Sequence, residues 1–166
     1  MSFTMRFSLF CTLQERFVGV DSRFSRAKTV YGLTSDIFID ARTDDNTIIV
    51  GGVSMGASRW TQRLTTQAAH QLWSNLMRLL FPEKSRHVLG LAKTAPLCAP
   101  VPNLTTRFEI IRDPEQNVYE ILGWIGDDAW WCRIDYQTAR RLWAALDMAL
   151  YPAGWAGPVT LHGKLH

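Results

Sequence analysis

Residues 60–82 read WTQRLTTQAAHQLWSNLMRLLFP, and residues 130–152 read WWCRIDYQTARRLWAALDMALYP. The two stretches repeat Trp, Arg, Gln, Ala, Leu and Pro at a constant separation of 70 positions. The same separation aligns residues 38–82 with 108–152 without a gap, and 12 of those 45 positions are identical. This pattern predicts an internal duplication of one structural unit.

The identities fall on residues that shape a fold. They are Phe38/Phe108, Arg42/Arg112, Gly56/Gly126, Trp60/Trp130, Arg63/Arg133, Gln67/Gln137, Ala69/Ala139, Leu72/Leu142, Trp73/Trp143, Leu76/Leu146, Leu80/Leu150 and Pro82/Pro152. A long period that occurs twice favours two units around a pseudo-two-fold axis over a solenoid, which needs at least three stacked repeats. The alternative is convergence of two unrelated segments with β-β-β-α composition.

Each unit is predicted to end in an amphipathic helix, over 66–80 and over 136–150. Thr65 and Asp135 precede these segments and are residue types that cap a helix N-terminus. Apolar residues then recur at i, i+3, i+4 and i+7, which places one stripe against a sheet. Pro82 and Pro152 are expected to end the helices.

Three antiparallel strands are predicted before each helix. In the first unit they cover 37–42, 47–54 and 60–64, and in the second unit they cover 107–112, 118–125 and 130–134. Turn-forming residues separate them, as in Thr43-Asp44-Asp45-Asn46. Additional strands are expected at Phe17–Val20 and His87–Leu91, one for each unit, and at Phe3–Phe10.

The sequence therefore predicts an α+β fold with antiparallel sheets, each covered by one helix. The 166 residues are expected to form a single domain, with repeat unit one over 16–82, repeat unit two over 86–152 and a C-terminal arm over 153–166. Composition agrees with a globular domain, since 47% of residues are hydrophobic and 20% are charged. The arm is open to two interpretations, a strand of the protein's own sheet or a segment that reaches a partner.

Cysteine usage and hydropathy indicate the cellular compartment in which the protein is expected. Three cysteines, Cys11, Cys98 and Cys132, are an odd number without CxxC spacing, which is typical of a reducing environment. No apolar run approaches the roughly 18 residues of a membrane span. The opening residues lack the basic segment and long apolar segment of a signal peptide. A cytoplasmic location without membrane contact is expected.

Catalytic signatures are absent from the sequence. It contains no GxSxG, GxxxxGK[ST], HExxH or GxGxxG motif. The Gly51-Gly52 run could cradle a phosphate, but a strand is expected after it, which favours a bulged strand end. The four histidines are dispersed, and Asp44-Asp45 and Asp127-Asp128 are expected at solvated hairpin tips. We expect no enzymatic activity, no metal and no cofactor.

Arginine supplies the candidate binding residues, which are Arg42, Arg112, Arg63 and Arg133, with Trp131 beside them. A positive surface with aromatic platforms is typical of single-stranded nucleic-acid binding. The predicted architecture is similar in outline to that of the Whirly and PUR families of single-strand-binding proteins, although no sequence motif of either family is present. The alternative is that these arginines pair with strand-end acids, among them Asp36, Asp40, Glu109, Asp113 and Glu120.

Protein association is the third possibility. Sheet faces and edge strands rich in Trp, Tyr and Arg often form interfaces. The net charge of +3 is too small by itself to indicate a polyanionic partner. The sequence thus predicts a non-catalytic binding or assembly module, with protein contacts or self-association ranked ahead of single-stranded DNA or RNA.

Overall fold

A computed structural model describes residues 27–42, 44–91 and 102–155 of the chain. Within these ranges the elements are β1 (Ala27–Arg42), β2 (Thr47–Ser54), β3 (Arg59–Thr65), α1 (Thr66–Leu80), α2 (Pro82–Leu91), β4 (Arg107–Asp113), β5 (Val118–Ile125), β6 (Asp128–Asp135) and α3 (Tyr136–Leu150). The predicted α+β class is confirmed.

The two amphipathic helices lie where the sequence predicts them. The Thr65 hydroxyl accepts the Ala68 amide at 3.1 Å, and the Asp135 carboxylate accepts the Thr138 amide at 2.7 Å. Each helix also closes in the same way, because the Phe81 and Tyr151 amides donate back into the last turn. Local capping chemistry therefore fixes both ends of both helices.

The predicted strand at His87–Leu91 is wrong, because Pro82–Leu91 forms helix α2. Proline is favoured at the first position of a helix, where its missing N–H costs nothing, and Glu83 follows in the first turn. Pro82 thus ends α1 and begins α2. The strands predicted at Phe3–Phe10 and Phe17–Val20, and the arm beyond Trp155, lie outside the described residues.

The strands form one mixed sheet in the order β3-β2-β1-β6-β5-β4. The expectation of antiparallel sheets each covered by one helix is therefore wrong. The cause is the length of β1, which extends to Ala27 and pairs in parallel with β6 before it pairs with β2. A register shift between Ser35 and Phe38, with Asp36 at φ 47°, separates these two halves of β1.

The sheet curls until its two ends meet. The Thr105 amide donates to the Arg63 carbonyl at 2.8 Å, and the Thr65 amide donates to the Thr105 carbonyl at 3.1 Å. Thr105 lies just before β4, so the segment leading into one edge strand is bonded to the other edge strand, β3. This closure makes the inner face of the sheet a closed aromatic core.

Three rings pack at the centre of that inner face. Tyr31 stacks on Trp60 with centroids 4.4 Å apart, and Trp60 lies 5.5 Å from Trp130. Each indole N–H has a threonine partner, Thr34 for Trp60 at 3.3 Å and Thr105 for Trp130 at 2.9 Å. The hydroxyls keep the buried indoles satisfied.

Helices α1 and α3 lie antiparallel against the same inner face. Trp73 of α1 is near Trp143 of α3, with centroids 6.5 Å apart, and the first turns of α1 meet the end of α3 where His70 contacts Tyr151. Buried leucines from both helices complete the core. The opposite, outer face of the sheet carries four of the five candidate binding residues, Arg42, Arg63, Arg133 and Trp131.

Candidate interaction surface

The candidate binding residues do not share one face. Alternation along the strands directs Arg42, Arg63, Arg133 and Trp131 to the outer face, because their neighbours Ile39, Leu64, Cys132 and Ile134 belong to the inner core. Arg112 lies two residues after Ile110 and four after Phe108, so its side chain is on the inner side of β4 with theirs. Arg42 and Arg112 therefore do not form one cationic surface.

The outer arginines of the first unit lie next to acids. Arg63 forms an ion pair with Asp45, and Arg42 Nε lies 3.7 Å from Asp40 Oδ2. The pKa of Asp45 is lowered, first by the hydrogen bond from the Thr47 hydroxyl and further by the charge of Arg63. These exposed pairs reduce the positive potential that the sequence predicted here.

Arg133 is held more closely than the other arginines. Its Nε lies 3.2 Å from Glu120 Oε1, its Nη2 donates to Gln116 Oε1 at 2.6 Å, and Asp113 lies 3.8 Å away. Only 16% of its side chain is exposed. Arg133 therefore stabilises the sheet and its β4–β5 turn, and little of it faces solvent.

Trp131 is buried on the outer face in a cluster with Leu122, Trp124 and Ala129. The Arg107 guanidinium covers Trp124 at 4.7 Å from the ring centroid. A stacking platform for bases needs an open ring face. The burial of Trp131 removes it from that role in this structure.

An exposed apolar row follows the outer side of β1. The row consists of Val30 (61% exposed), Leu33 (40%) and Phe38 (44%), with Met55 (75%) from the β2–β3 turn, whose amide donates to the Leu33 carbonyl. The sequence does not reveal this row, because residues 27–36 lack the regular alternation that predicts a strand. The bulge near Asp36 breaks the period-two pattern that reveals a strand.

A groove of about 430 Å³ lies between α1 and the edge strand β4. Asn75, Arg78 and Leu79 line it from the helix, and residues 108–111 line it from the strand. The Phe108 amide donates to Gln71 Oε1 at 2.8 Å, away from β5. Alternation then directs the main-chain groups of Ile110 and Arg112 toward the same open side.

The other polar candidates have structural partners. Gly51 and Gly52 lie in the regular β2–β3 ladder, and a Cβ at Gly52 would be 2.4 Å from Thr34 Cγ2, so close packing requires glycine there. Asp128 pairs with Lys28. Cys132 is a free buried thiol whose pKa is raised by burial. Among the described residues, no three His, Cys, Asp or Glu side chains could hold a metal.

Comparisons with known proteins found no match: no family model, no curated protein and no solved structure matches the chain. Within residues 27–42, 44–91 and 102–155, no helix has the length and apolar character needed to cross a membrane.

Proposed function

We propose that the protein is a non-catalytic assembly module that acts through protein–protein contacts, with the open edge of β4 beside α1 as the contact site. The observation that carries this proposal is the bond from the Phe108 amide to Gln71, which identifies the side of β4 that faces away from β5. By alternation the main-chain groups of Ile110 and Arg112 face the same side, where β4 has no strand partner within residues 27–42, 44–91 and 102–155. An edge strand with free donors and acceptors pairs readily with a strand from another chain.

The lining of the groove suits an extended polypeptide. Leu79 and Ile110 offer apolar contacts, and Asn75 and Arg78 offer polar ones. A strand added to β4 would gain main-chain hydrogen bonds from the edge and side-chain contacts from the helix. This combination supplies both affinity and selectivity in β-strand addition.

The apolar row on the outer face supports the same function independently. Val30, Leu33, Phe38 and Met55 leave 40–75% of their surface exposed. Burying a fully exposed side chain of this kind contributes roughly 1.5–3 kcal/mol, so covering the exposed part of each contributes a fraction of that. They lie on the central strand β1 and on the β2–β3 turn, which is hydrogen-bonded to it. A protein partner with an apolar surface could cover them.

Single-stranded nucleic acid is less favoured because the predicted arginines lie near carboxylates. Arg42, Arg63 and Arg133 each have an acid within 4 Å. A phosphate backbone would have to compete with these acids for the same guanidinium groups. Arg112 lies on the opposite face of the sheet and cannot extend their surface.

Two solution measurements test the function. Light scattering from low to high protein concentration should detect association, and a Phe38→Ser plus Met55→Ser variant should show whether the outer row contributes. Met148→Ser is the matched control, because Met148 is 74% exposed on α3. Fluorescent single-stranded DNA and RNA should not bind; tight binding that weakens steeply with salt, in a protein that stays monomeric, overturns the proposal.

We further propose that the two units arose by duplication and are related by a pseudo-two-fold axis. Matching details support this: indole-to-threonine bonds at Trp60 and Trp130, and left-handed asparagines at Asn46 and Asn117 in the corresponding hairpins. The β2–β3 hairpin contains one more residue between equivalent facing positions than the β5–β6 hairpin, because Gly52 faces Trp60 whereas Gly123 faces Trp130. The β1–β2 hairpin then corresponds to the β4–β5 hairpin at a separation of 71 residues, while β3–α1 corresponds to β6–α3 at a separation of 70 residues.

This one-residue difference changes which positions are equivalent. Phe38 and Phe108 are identical at a separation of 70 but lie on opposite faces of the sheet, as do Arg42 and Arg112. Arg63 and Arg133 do correspond, since both reach the residue before the left-handed asparagine, Asp45 or Gln116. An experimental structure in which the two hairpins fail to superpose at a separation of 71 residues would contradict the duplication.

We also propose a cytoplasmic location, with which the free thiol of Cys132 is compatible.

A further inference from the structure

We infer that the chain that fills the open edge of β4 is a second copy of this protein, paired antiparallel about a two-fold axis through Ile110. The inference rests on the proposed function, because it names the partner in that assembly. A two-fold contact requires a surface that is complementary to itself. The sequence of β4, RFEIIRD over 107–113, meets this requirement.

The main-chain geometry permits this pairing. In the register centred on Ile110, the Ile110 N–H of each copy donates to the Ile110 carbonyl of the other copy. The Arg112 amide then faces the Phe108 carbonyl of the second copy. The Phe108 amide faces the Arg112 carbonyl of the second copy, so the Gln71 side chain, which accepts that amide at 2.8 Å, must turn aside on pairing. The donors that the pairing uses are those that alternation directs away from β5.

Side chains select the same register. Residues whose numbers sum to 220 lie opposite each other. Arg107 of each copy therefore faces Asp113 of the other copy on the outer face, which gives two such pairs. Opposite charges at facing positions stabilise a strand pair. On the inner face the half-buried Ile110 meets Ile110 of the second copy, and Arg112 lies opposite Phe108, which is already buried in its own core.

Neighbouring registers place like charges together. A two-fold axis at Glu109 puts that carboxylate opposite itself, and an axis at Ile111 puts Glu109 opposite Asp113. An axis at Arg112 puts that guanidinium opposite itself. Like charges directly opposite each other destabilise a strand pair. An axis at Phe108 would also place Arg107 opposite Glu109, but its central pair of bonds uses the Phe108 amide, which Gln71 accepts. Charge and main-chain geometry together therefore favour the register at Ile110.

Charge reversal tests the register in the full chain. Arg107→Asp alone and Asp113→Arg alone should each weaken self-association, by roughly tenfold or more, because each puts like charges at both facing pairs. An equimolar mixture of the two variants should restore it, since every facing pair is then complementary again. Arg59→Asp is the matched control, an exposed arginine on the other edge strand, β3.

Amide hydrogen exchange of the unmodified chain provides a second measurement, needed because Asp113 also accepts amides from Glu115 and Gln116 in its turn. The Ile110 and Arg112 amides should exchange fast in dilute protein and slowly in concentrated protein. The Glu109 and Ile111 amides, bonded to β5, should be slow in both.

A chain that is monomeric at every concentration overturns the inference. A dimer that is insensitive to Arg107→Asp, and whose Ile110 amide still exchanges fast, also overturns the inference. That dimer would leave the proposed function standing, because association would then use another surface.

Discussion

Trp73 of α1 donates its indole N–H to Asp147 of α3, with Nε1 and Oδ1 2.9 Å apart. The same carboxylate oxygen accepts the indole N–H of Trp155 at 2.6 Å. One acid thus joins both helices and the segment that follows α3. Hydrogen bonds to a charged acceptor are stronger than those to a neutral one.

Replacing Asp147 with Ala should destabilise the fold by roughly 1–3 kcal/mol, because the buried indole of Trp73 and the half-buried indole of Trp155 would lose their acceptor. Urea unfolding followed by tryptophan fluorescence measures the loss. Asp147→Asn keeps an acceptor oxygen and should lose less. Equal stability of the Ala variant and the parent protein would contradict this role.

Gly123→Ala should destabilise the protein by roughly 1–3 kcal/mol. A Cβ at this position would lie 2.3 Å from the Trp130 indole, which packs across β5 to reach Thr105. The matched control is Gly90→Ala in α2, where nothing lies within 4 Å of the added methyl group. Since alanine favours a helix over glycine by about 1 kcal/mol, that control should be neutral or stabilising. Thermal unfolding of both variants tests the contrast.

The helices could be predicted from sequence because their determinants are local. Caps at Thr65 and Asp135 and a 3.6-residue apolar period specify a helix without reference to distant residues. Helix α2 was missed because a short apolar run such as 87–91 fits a strand or a helix equally well. Its first residue, Pro82, and the acid at Glu83 were the available signals for a helix start.

The sheet and the candidate site were harder to predict because they depend on long-range pairing. No local feature of residues 27–36 predicts that they pair in parallel with β6, and the bulge at Asp36 breaks the alternation of buried and exposed residues. The identity of Arg42 and Arg112 suggested one shared surface. A one-residue offset between the β2–β3 and β5–β6 hairpins places them on opposite faces, and an ungapped alignment does not reveal such a shift.

Removing the Asp135 carboxylate should cost about 1 kcal/mol at neutral pH, because it caps α3. The pKa of Asp135 is lowered from its ordinary value of 3.8, chiefly by the Thr138 amide. A lowered folded-state pKa means that its contribution is present above the unfolded pKa and is lost as pH falls through the folded one. The difference in stability between the parent and Asp135→Ala should therefore shrink below about pH 4.

Thr65→Ala provides the control for this pH dependence, since its hydroxyl caps α1 in the same way but does not titrate. It should cost a similar amount at neutral pH, and the loss should persist in acid. Denaturant unfolding at several pH values measures both variants. A deficit in Asp135→Ala that stays constant down to the lowest pH would show that the charged carboxylate is not the acting group.

His70 should make the fold sensitive to mild acid. Its ring is partly buried where α1 meets the end of α3, with Nδ1 2.7 Å from the Tyr151 hydroxyl, and burial lowers the pKa of His70 below 6.5. Burial and the charge of Asp147 raise the pKa of Tyr151 to about 12, so its hydroxyl stays protonated and can donate to neutral His70. The unfolded chain takes up a proton below about pH 6.5, before the folded chain does, and stability falls across that window. His70→Gln, which cannot titrate there, should show a flatter profile between about pH 7 and about pH 5. Parallel profiles, or an NMR titration midpoint for His70 above 6.5, would contradict the assignment.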